Sequence, residues 1–473
     1  MVEELTLMKL NHKSILDILA YAVCALFMLI GSTVSLHRYW QYEVSYVDFG
    51  LYDRVIWQVS RFQEPVTNHF VHGKINVLGD HVTPSVFLIS PLYWLTDRSE
   101  MILIVQAFVV GVSGFFLYGL AKHILKNKLM SFSILTCYFL FLGLQNAVIT
   151  EFHELTVMTL PLMIALWAIV KNKPVVYFIF LIITLGFKEI TVFLGVGIGI
   201  ALILLKKEWR KYGLFTILIS LLWGFIAFKI VLPHFSNGQY LYATFFPDST
   251  VEKALALVDH PMKRRTLLYS FLSFSFLPIF APQFWLAMLQ DYATRFLPLH
   301  FMTRWDLTMH YNAQSAVLLA VSSIFGMKRL LKFSLIKKYS TLLACLMMIN
   351  ALILFRFILN GPFMLAFNPA FYRHTNEFAF LNDMVRIVPK DASVMTHNNL
   401  ATRFTHQPAQ LLTHEYINVK PDYILMDLRE GQSPNNFFGS ANIQGIYQQV
   451  SKDSNYEVVY KTNEQYVFKR KGE

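Results

Sequence analysis

The sequence is poor in charge. Charged residues make up 15% of its 473 positions, against roughly 25% in an ordinary soluble domain. It is also poor in cysteine, with three, Cys24, Cys137 and Cys345. All three fall inside apolar runs, which excludes a disulfide framework and leaves the redox compartment unread. No internal repeat is evident, no HExxH-like spacing marks a metal site, and no small-residue cleavage site follows the first apolar run. Acid is scarcer than base: 30 Asp and Glu stand against 41 Lys and Arg, a formal net charge of +11. The bases do not form one face, so the surplus does not point to nucleic acid.

Apolar residues fill the space. They are 55% of the chain, with a mean hydropathy of +0.44. A soluble chain of this length would divide into about three domains. Here the apolar residues come in long uninterrupted runs, at 15–36, 102–120, 129–149, 155–170, 174–187, 190–205, 212–232, 267–281, 284–297, 311–327 and 339–359. Measured against the ~20 residues a helix needs to cross a bilayer, these predict about eleven spans, several of them short. The fold expected is mainly α, a polytopic transmembrane helical bundle. Residues 82–95 are also apolar, but two prolines interrupt them, and an interfacial or re-entrant segment is expected there.

The basic residues supply orientation. Connections 122–128, 171–173, 206–211 and 328–338 carry three, two, four and five Lys or Arg, with one acid among them all. Placing these four in the cytoplasm lets the spans alternate and puts the N-terminus inside. The surplus of positive charge is then a topology signal.

With that orientation, four clusters of ionisable residues fall on the outer side. The first outer loop, 38–82, contains VDFGLYDRVIWQ with Asp48 and Asp53, then GDHVTP with Asp80 and His81. The second is EFHE, with His153 and Glu154. The third is the Lys188-Glu189 pair in GFKEIT, which interrupts one apolar stretch. The fourth runs from Arg295 to His310 and includes Arg304 and Asp306. Ionisable groups at membrane depth are costly and mark a functional site by default. Two short spans with Lys188-Glu189 at their outer tip fit the flanking bases better than one long helix with two charges near mid-membrane. Each cluster also has a plainer reading. Asp48 could cap a helix over 49–62, Asp53 and Arg54 could be a solvated pair, and Asp80 could cap a turn. His153 could be an ordinary interfacial histidine, and Lys188-Glu189 a structural ion pair. The helix over 49–62 has an apolar side and a side with Asp53, Arg54, Gln58 and Arg61, which suits a helix lying on the outer interface.

After residue 359 the composition changes. Two parts are expected: 1–360 as the membrane domain and 361–473 as a small soluble α/β domain on the outer side. Helices are expected over 373–387 and 443–450. Strands are expected over 392–396 and 423–427, with a hairpin of 457–461 and 465–469. This tail has no metal-ligand spacing and no phosphate-cradling glycine loop, and His397, His406 and His414 are scattered. A capping or acceptor-positioning part is the expectation.

The order VDFGLYDRVIWQ, GDHVTPSVFLISPLYWL, EFHELTVMTLPLM, GFKEIT and HYNAQSA, with IVPKDASVMTHNNLATRFTHQPAQL and PDYILMDLR in the tail, resembles a family of predicted prokaryotic multi-pass membrane proteins. That family is similar to the GT-C glycosyltransferases, membrane enzymes that use lipid-phosphate sugars. The resemblance implies a large first outer loop with an acidic catalytic residue soon after span one. Asp48 matches that position best and Asp53 is its rival, although the chain lacks the paired Asp-Glu of several GT-C families. It further implies a polyprenyl-phosphate-linked sugar as donor, a glycan, lipid or protein as acceptor, membrane lipids as surroundings and inversion at the sugar carbon. Asp48 would act as base, with Lys188, Arg304 and His310 on the leaving phosphate. Glu189 would hold Lys188, and His81 or His153 would orient the acceptor. Asp48, Asp80, His81, His153 and Glu154 also offer ligands to a divalent metal, with Asp48, His81 and His153 foremost. The competing classes are a lipid or glycan transporter or flippase and a non-catalytic membrane assembly protein. Against transport stand the missing repeat and the gathering of charge at one face.

Overall fold

In the computed structural model, residues 15–69, 73–236, 238, 246–298, 302–429 and 443–472 are described. The structure is mainly helical. Among the described residues, four helices are long and apolar enough to cross a membrane: Ile15–Trp40, Glu100–Leu125, Lys207–Phe235 and Ser340–Ile358. A fifth span results if Lys128–Leu140 and Leu142–Ile149, bent by 49°, are taken together. Glu154–Val170, Pro174–Leu185 and Thr191–Leu205 are apolar but shorter. The chain is thus a multi-pass membrane protein, but the expected count of about eleven spans is not reproduced. Several apolar runs do not stay helical for a bilayer's width. Phe141 takes an extended conformation and breaks the run at 129–149. Ser275 and Phe276 have positive φ, and the run at 267–281 divides there into a helix and a short 3-10 turn. Asn312–Leu330 is helical over 19 residues, but nearly all of it is buried and it carries Asn312, Gln314, Ser315, Ser322 and Ser323 inside the protein. It is a core helix.

Helices Ile15–Trp40 and Glu100–Leu125 run antiparallel, as contacts at both ends show. Asp17 meets Lys122 and Tyr118 at one end, and Trp40 donates to Glu100 at the other. Helices Thr191–Leu205 and Arg210–Ile226 cross closely at Gly199 and Gly213. A Cβ on Gly199 would stand 2.7 Å from the Gly213 carbonyl oxygen, so only glycine allows this approach.

The basic connections gather at one end. Lys171 lies 3.1 Å from His123, and Lys126, Lys206 and Lys328 lie near the same ring. The opposite end carries the loop after Trp40, the connections around 150 and 188, and residues 302–311. In that loop, β1 (Val66–His69) and β2 (Gly73–Asn76) form an antiparallel hairpin, followed by a 3-10 segment, Pro84–Trp94.

The C-terminal residues form a five-stranded mixed sheet in the order β4-β3-β5-β7-β6. Its strands are β3 (Val394–Thr396), β4 (Ala409–Leu411), β5 (Tyr423–Asp427), β6 (Tyr456–Thr462) and β7 (Gln465–Arg470). β3 is parallel to β4 and β5, while β7 is antiparallel to β5 and β6. Helix Ile443–Lys452 packs on it through Ile446 and Val450. The helix expected over 373–387 is two short ones, Pro369–Glu377 and Leu381–Arg386. The core on one face of the sheet is not made by the tail alone. Tyr42 and Tyr46, from the loop after the first helix, are buried in it with Leu381, Met384, Val394, Leu400 and Phe404.

Candidate functional site

A cavity of about 860 Å³ opens at the end opposite the basic connections. Asp48, Asp80, His81, His153, Glu154, Lys188, Glu189, Arg304 and His310 all line it, brought there from four separate stretches of sequence. Its remaining wall is largely apolar, with Leu155, Ile190, Phe193, Phe228 and Phe246. The cavity therefore pairs a charged end with a greasy one.

Asp48 sits in a tight turn, Tyr46–Gly50, whose N-cap is Ser45. The cap of the following helix is therefore not Asp48, which leaves its carboxylate for the cavity. The helix itself, Leu51–Ser60, is buried on both sides. Asp53 is fully buried and does not line the cavity. It accepts hydrogen bonds from Tyr93 and Thr405, and His406 approaches it at 3.2 Å. Burial alone would raise its pKa, but His406 outweighs that and holds it below the usual range. Arg54 donates to the carbonyls of Val66 and Gln407. Asp53 and Arg54 on the polar side thus face the C-terminal residues, while Arg61 stays exposed beside Asp97, and Asp53 is a group of that interface and not of the cavity. The amphipathic pattern showed two faces without showing what would cover the second.

The Lys188-Glu189 pair is split. Pro174–Leu185 and Thr191–Leu205 are separate helices, and both side chains project from the turn between them. Lys188 donates to Glu154 at 2.6 Å, with both side chains nearly inaccessible. Glu189 accepts from the Val82 amide and meets His81, each at 3.1 Å. The expectation that Glu189 holds Lys188 is corrected. Neighbouring side chains in a turn diverge, and each finds its partner on another segment. Gly79 sets the approach of the Asp80-His81 turn: a Cβ there would lie 2.4 Å from the Phe235 carbonyl oxygen.

His153 and His310 stack face to face, with ring centroids 3.4 Å apart. Burial pushes both below the usual histidine range, and for His310 the proximity of His153 adds to it. Two stacked rings without an acid between them favour the neutral forms. The Nδ1 of His310 has no hydrogen-bond partner among the described residues.

Two further residues belong to the site. Glu151 is buried beside Asp48; one carboxylate oxygen accepts from the Ser45 amide and the other from Phe49, both at 3.1 Å. Burial pushes Glu151 well above the usual carboxylate range, and the charge of Asp48 pushes the same way. Ligand atoms of Asp48, Glu151 and His153 all lie within 4.8 Å of one another. This set shares Asp48 and His153 with the expected metal group, while His81 meets Glu189 through Nδ1. The EFHE motif carried Glu151 in plain view, but only the fold shows which of its acids meets Asp48. Arg295 also lines the cavity. One nitrogen donates to Asn312 at 2.8 Å, while Nε and the other terminal nitrogen are buried with no hydrogen-bond partner among the described residues. Its neighbour on the helix, Asp291, is taken by Gln314 and Ser315. A buried guanidinium left this way costs several kcal/mol unless a ligand completes it. In the sequence Arg295 is only the first residue of the fourth cluster.

No curated protein matches the sequence. Among solved structures the chain is similar to ArnT from Cupriavidus metallidurans bound to undecaprenyl phosphate. The identity is 9%, the match covers 95% of this chain and 97% of that one, and the TM-score is 0.51. The apo state of the same protein is matched at 9% identity over 94% and 97% of the two chains, with a TM-score of 0.47. At this identity the likeness is one of fold. A family model matches residues 38–467, and the chain belongs to that family, the predicted membrane proteins DUF2079.

Proposed function

We propose that this protein transfers a sugar from a polyprenyl-phosphate donor to an acceptor hydroxyl, at the outer face of the membrane and with inversion. The observation that carries this reading is the cavity itself, where acids, histidines and arginines from distant segments converge beside an apolar wall. A donor of this class has the same two ends. The fold shared with ArnT, a GT-C glycosyltransferase known with undecaprenyl phosphate bound, supports the same class.

In this reading Asp48 takes the proton from the acceptor hydroxyl as its oxygen attacks the anomeric carbon. The bond from that carbon to the phosphate oxygen breaks, and polyprenyl phosphate leaves. Glu151, which burial and the charge of Asp48 push toward its protonated form, holds the turn that presents Asp48 through the Ser45 and Phe49 amides. The growing charge on the phosphate needs cations placed where it develops. Arg295 and Arg304 are the better suited. Lys188 is already neutralised by Glu154, and a neutral His310 contributes a hydrogen bond and no charge. Asp80, His81 and Glu189 shape the opposite wall. His153, stacked on His310, faces the acceptor side.

Asp48, Glu151 and His153 also suit a divalent cation, because two carboxylates close together gain from a positive charge between them. Such an ion would supply positive charge on the acceptor side, beside the attacking oxygen. Mn²⁺ binding is expected to weaken in both Asp48→Asn and Glu151→Gln; unchanged binding in either would remove this set.

The main test uses purified protein with a polyprenyl-phosphate-linked sugar and a mixed acceptor pool, reading released polyprenyl phosphate. Asp48→Asn is expected to lose transfer by at least about 10²-fold, the lower range for a general base, with folding intact. Undiminished transfer would overturn the role of Asp48. Movement of lipid across the bilayer without a covalent product would favour a flippase.

A further inference from the structure

The turn that carries Asp48 is held in an unusual way. Its five successive backbone N–H groups, from Ser45 to Phe49, all donate to side-chain oxygens. Ser45 and Phe49 donate to the two oxygens of Glu151. Asp48 donates to the hydroxyl of Ser45 at 3.3 Å. Tyr46 and Val47 both donate to one atom, Oδ1 of Asn398, at 2.8 and 3.2 Å. Asn398 stands more than 350 positions away in sequence. It lies two residues past the end of β3, and is 2% exposed.

We propose that Asn398 is a positioning residue for Asp48, so that the C-terminal sheet is a working part of the transfer site and not an appendage to it. The proposal rests on the reading of Asp48 as the reacting carboxylate. Three observations support it. First, Asn398 and Glu151 grip the turn at different amides, so neither alone fixes the position of the carboxylate. Second, Tyr46 is anchored at both ends by the same sheet: its amide is on Asn398 and its hydroxyl donates to the Ala409 carbonyl at 3.1 Å. Third, Nδ2 of Asn398 is buried with no partner among the described residues. The side chain is used for its oxygen alone. Aspartate could offer that oxygen too, but would put a third carboxylate next to Asp48 and Glu151. A carboxamide gives the acceptor without the charge.

The contact matters because a general base works only within hydrogen-bond reach of its proton, and a displacement of about 1 Å can cost 10²-fold. Leucine at 398 keeps the volume and removes the acceptor, leaving two amides free to pull the turn away.

The test uses the full-length protein in detergent or nanodiscs. Asn398→Leu is expected to lower kcat for transfer by about tenfold to hundredfold with KM for the lipid donor little changed. Hydrogen exchange of the 45–49 amides should rise. Asn398→Asp, which restores the acceptor, should restore slow exchange and part of kcat. Asn382→Ala serves as control. It removes a 2.7 Å bond from Tyr42 to the tail without touching the Asp48 turn, and should leave kcat and the exchange of 45–49 unchanged. Two results would overturn the proposal: unchanged kcat and exchange in Asn398→Leu, or an equal fall of kcat in Asn382→Ala. If the wild type transfers no sugar at all, the functional reading fails, and the exchange data still report whether Asn398 fixes the turn.

Discussion

At the basic end of the bundle, Asp17 shares two lysines, Lys122 at 2.5 Å and Lys128 at 2.9 Å, whose side chains are 32% and 43% exposed. At the opposite end Glu154 has one, Lys188, at 2.6 Å and 10% exposed. The chemical groups are alike and their settings are not. Where water reaches the lysines, the pair costs little and gains little. Where it does not, each ion depends on its partner, because neither can be hydrated if the other is lost. The exposed lysines record topology. The buried pairs sit around a cavity and hold its walls apart, which is why the fold tolerates their expense.

Removing one partner at each end should break this contrast if it is wrong. Lys188→Met is expected to destabilise the folded protein by about 3–5 kcal/mol, while Lys122→Met costs about 1 kcal/mol or less. Thermal unfolding in detergent reads both. In the double variant Lys188→Met with Glu154→Leu much of the stability should return, since the stranded charge is gone. Equal losses at the two ends would show that the cavity wall does not depend on buried pairing.

A smaller effect should separate Arg295 from Lys188. If the guanidinium awaits a phosphate, Arg295→Gln raises KM for a lipid-phosphate sugar by roughly tenfold and leaves stability unchanged or improved, because an unpaired buried charge has been removed. A loss of stability with unchanged KM would make Arg295 a structural residue.

The mildest effect concerns a third setting, the C-terminal sheet. His397 is buried, and its Nε2 accepts from the Asp427 amide, which requires the neutral ring. Burial lowers its pKa from 6.5 to about 4. The unfolded chain then binds more protons than the folded one between those values. Stability of this part is full above about pH 6.5 and declines as pH falls toward 4. His397→Gln should flatten that decline, and hydrogen exchange of β3 and β5 measured at pH 7 and pH 5 would show it. An unchanged slope would mean that another group controls the acid sensitivity.

The sequence made some of this legible and not the rest. The cavity residues stood out because a charge inside an apolar stretch is costly, so its presence alone is informative. β5 was read at Tyr423–Asp427 because the apolar run YILMDL follows the turn residues Pro421-Asp422, and the structure buries all five of its residues. Pairing was not legible. Lys188 lies next to Glu189 in the chain but bonds to Glu154, and nothing in local spacing reports a contact 34 residues away. Asp53 was weighed with Asp48 because both are acids in one loop. Their difference lies in what covers each, the tail for one and the cavity for the other. Span number was only partly legible for a related reason, since an apolar run can face lipid or, like Asn312–Leu330, pack against other helices.

The Asp48 turn also has a consequence in time. It is made near the beginning of synthesis, Glu151 roughly a third of the way along, and Asn398 only near the end. A growing chain displays the acid long before it owns the two groups that shape the turn. The protein inserted into the membrane up to residue 360 has its helices and most of its charged wall, yet two amides of that turn still lack their acceptor. Completion of the chain is the step that supplies the acceptor for those two amides and closes the turn.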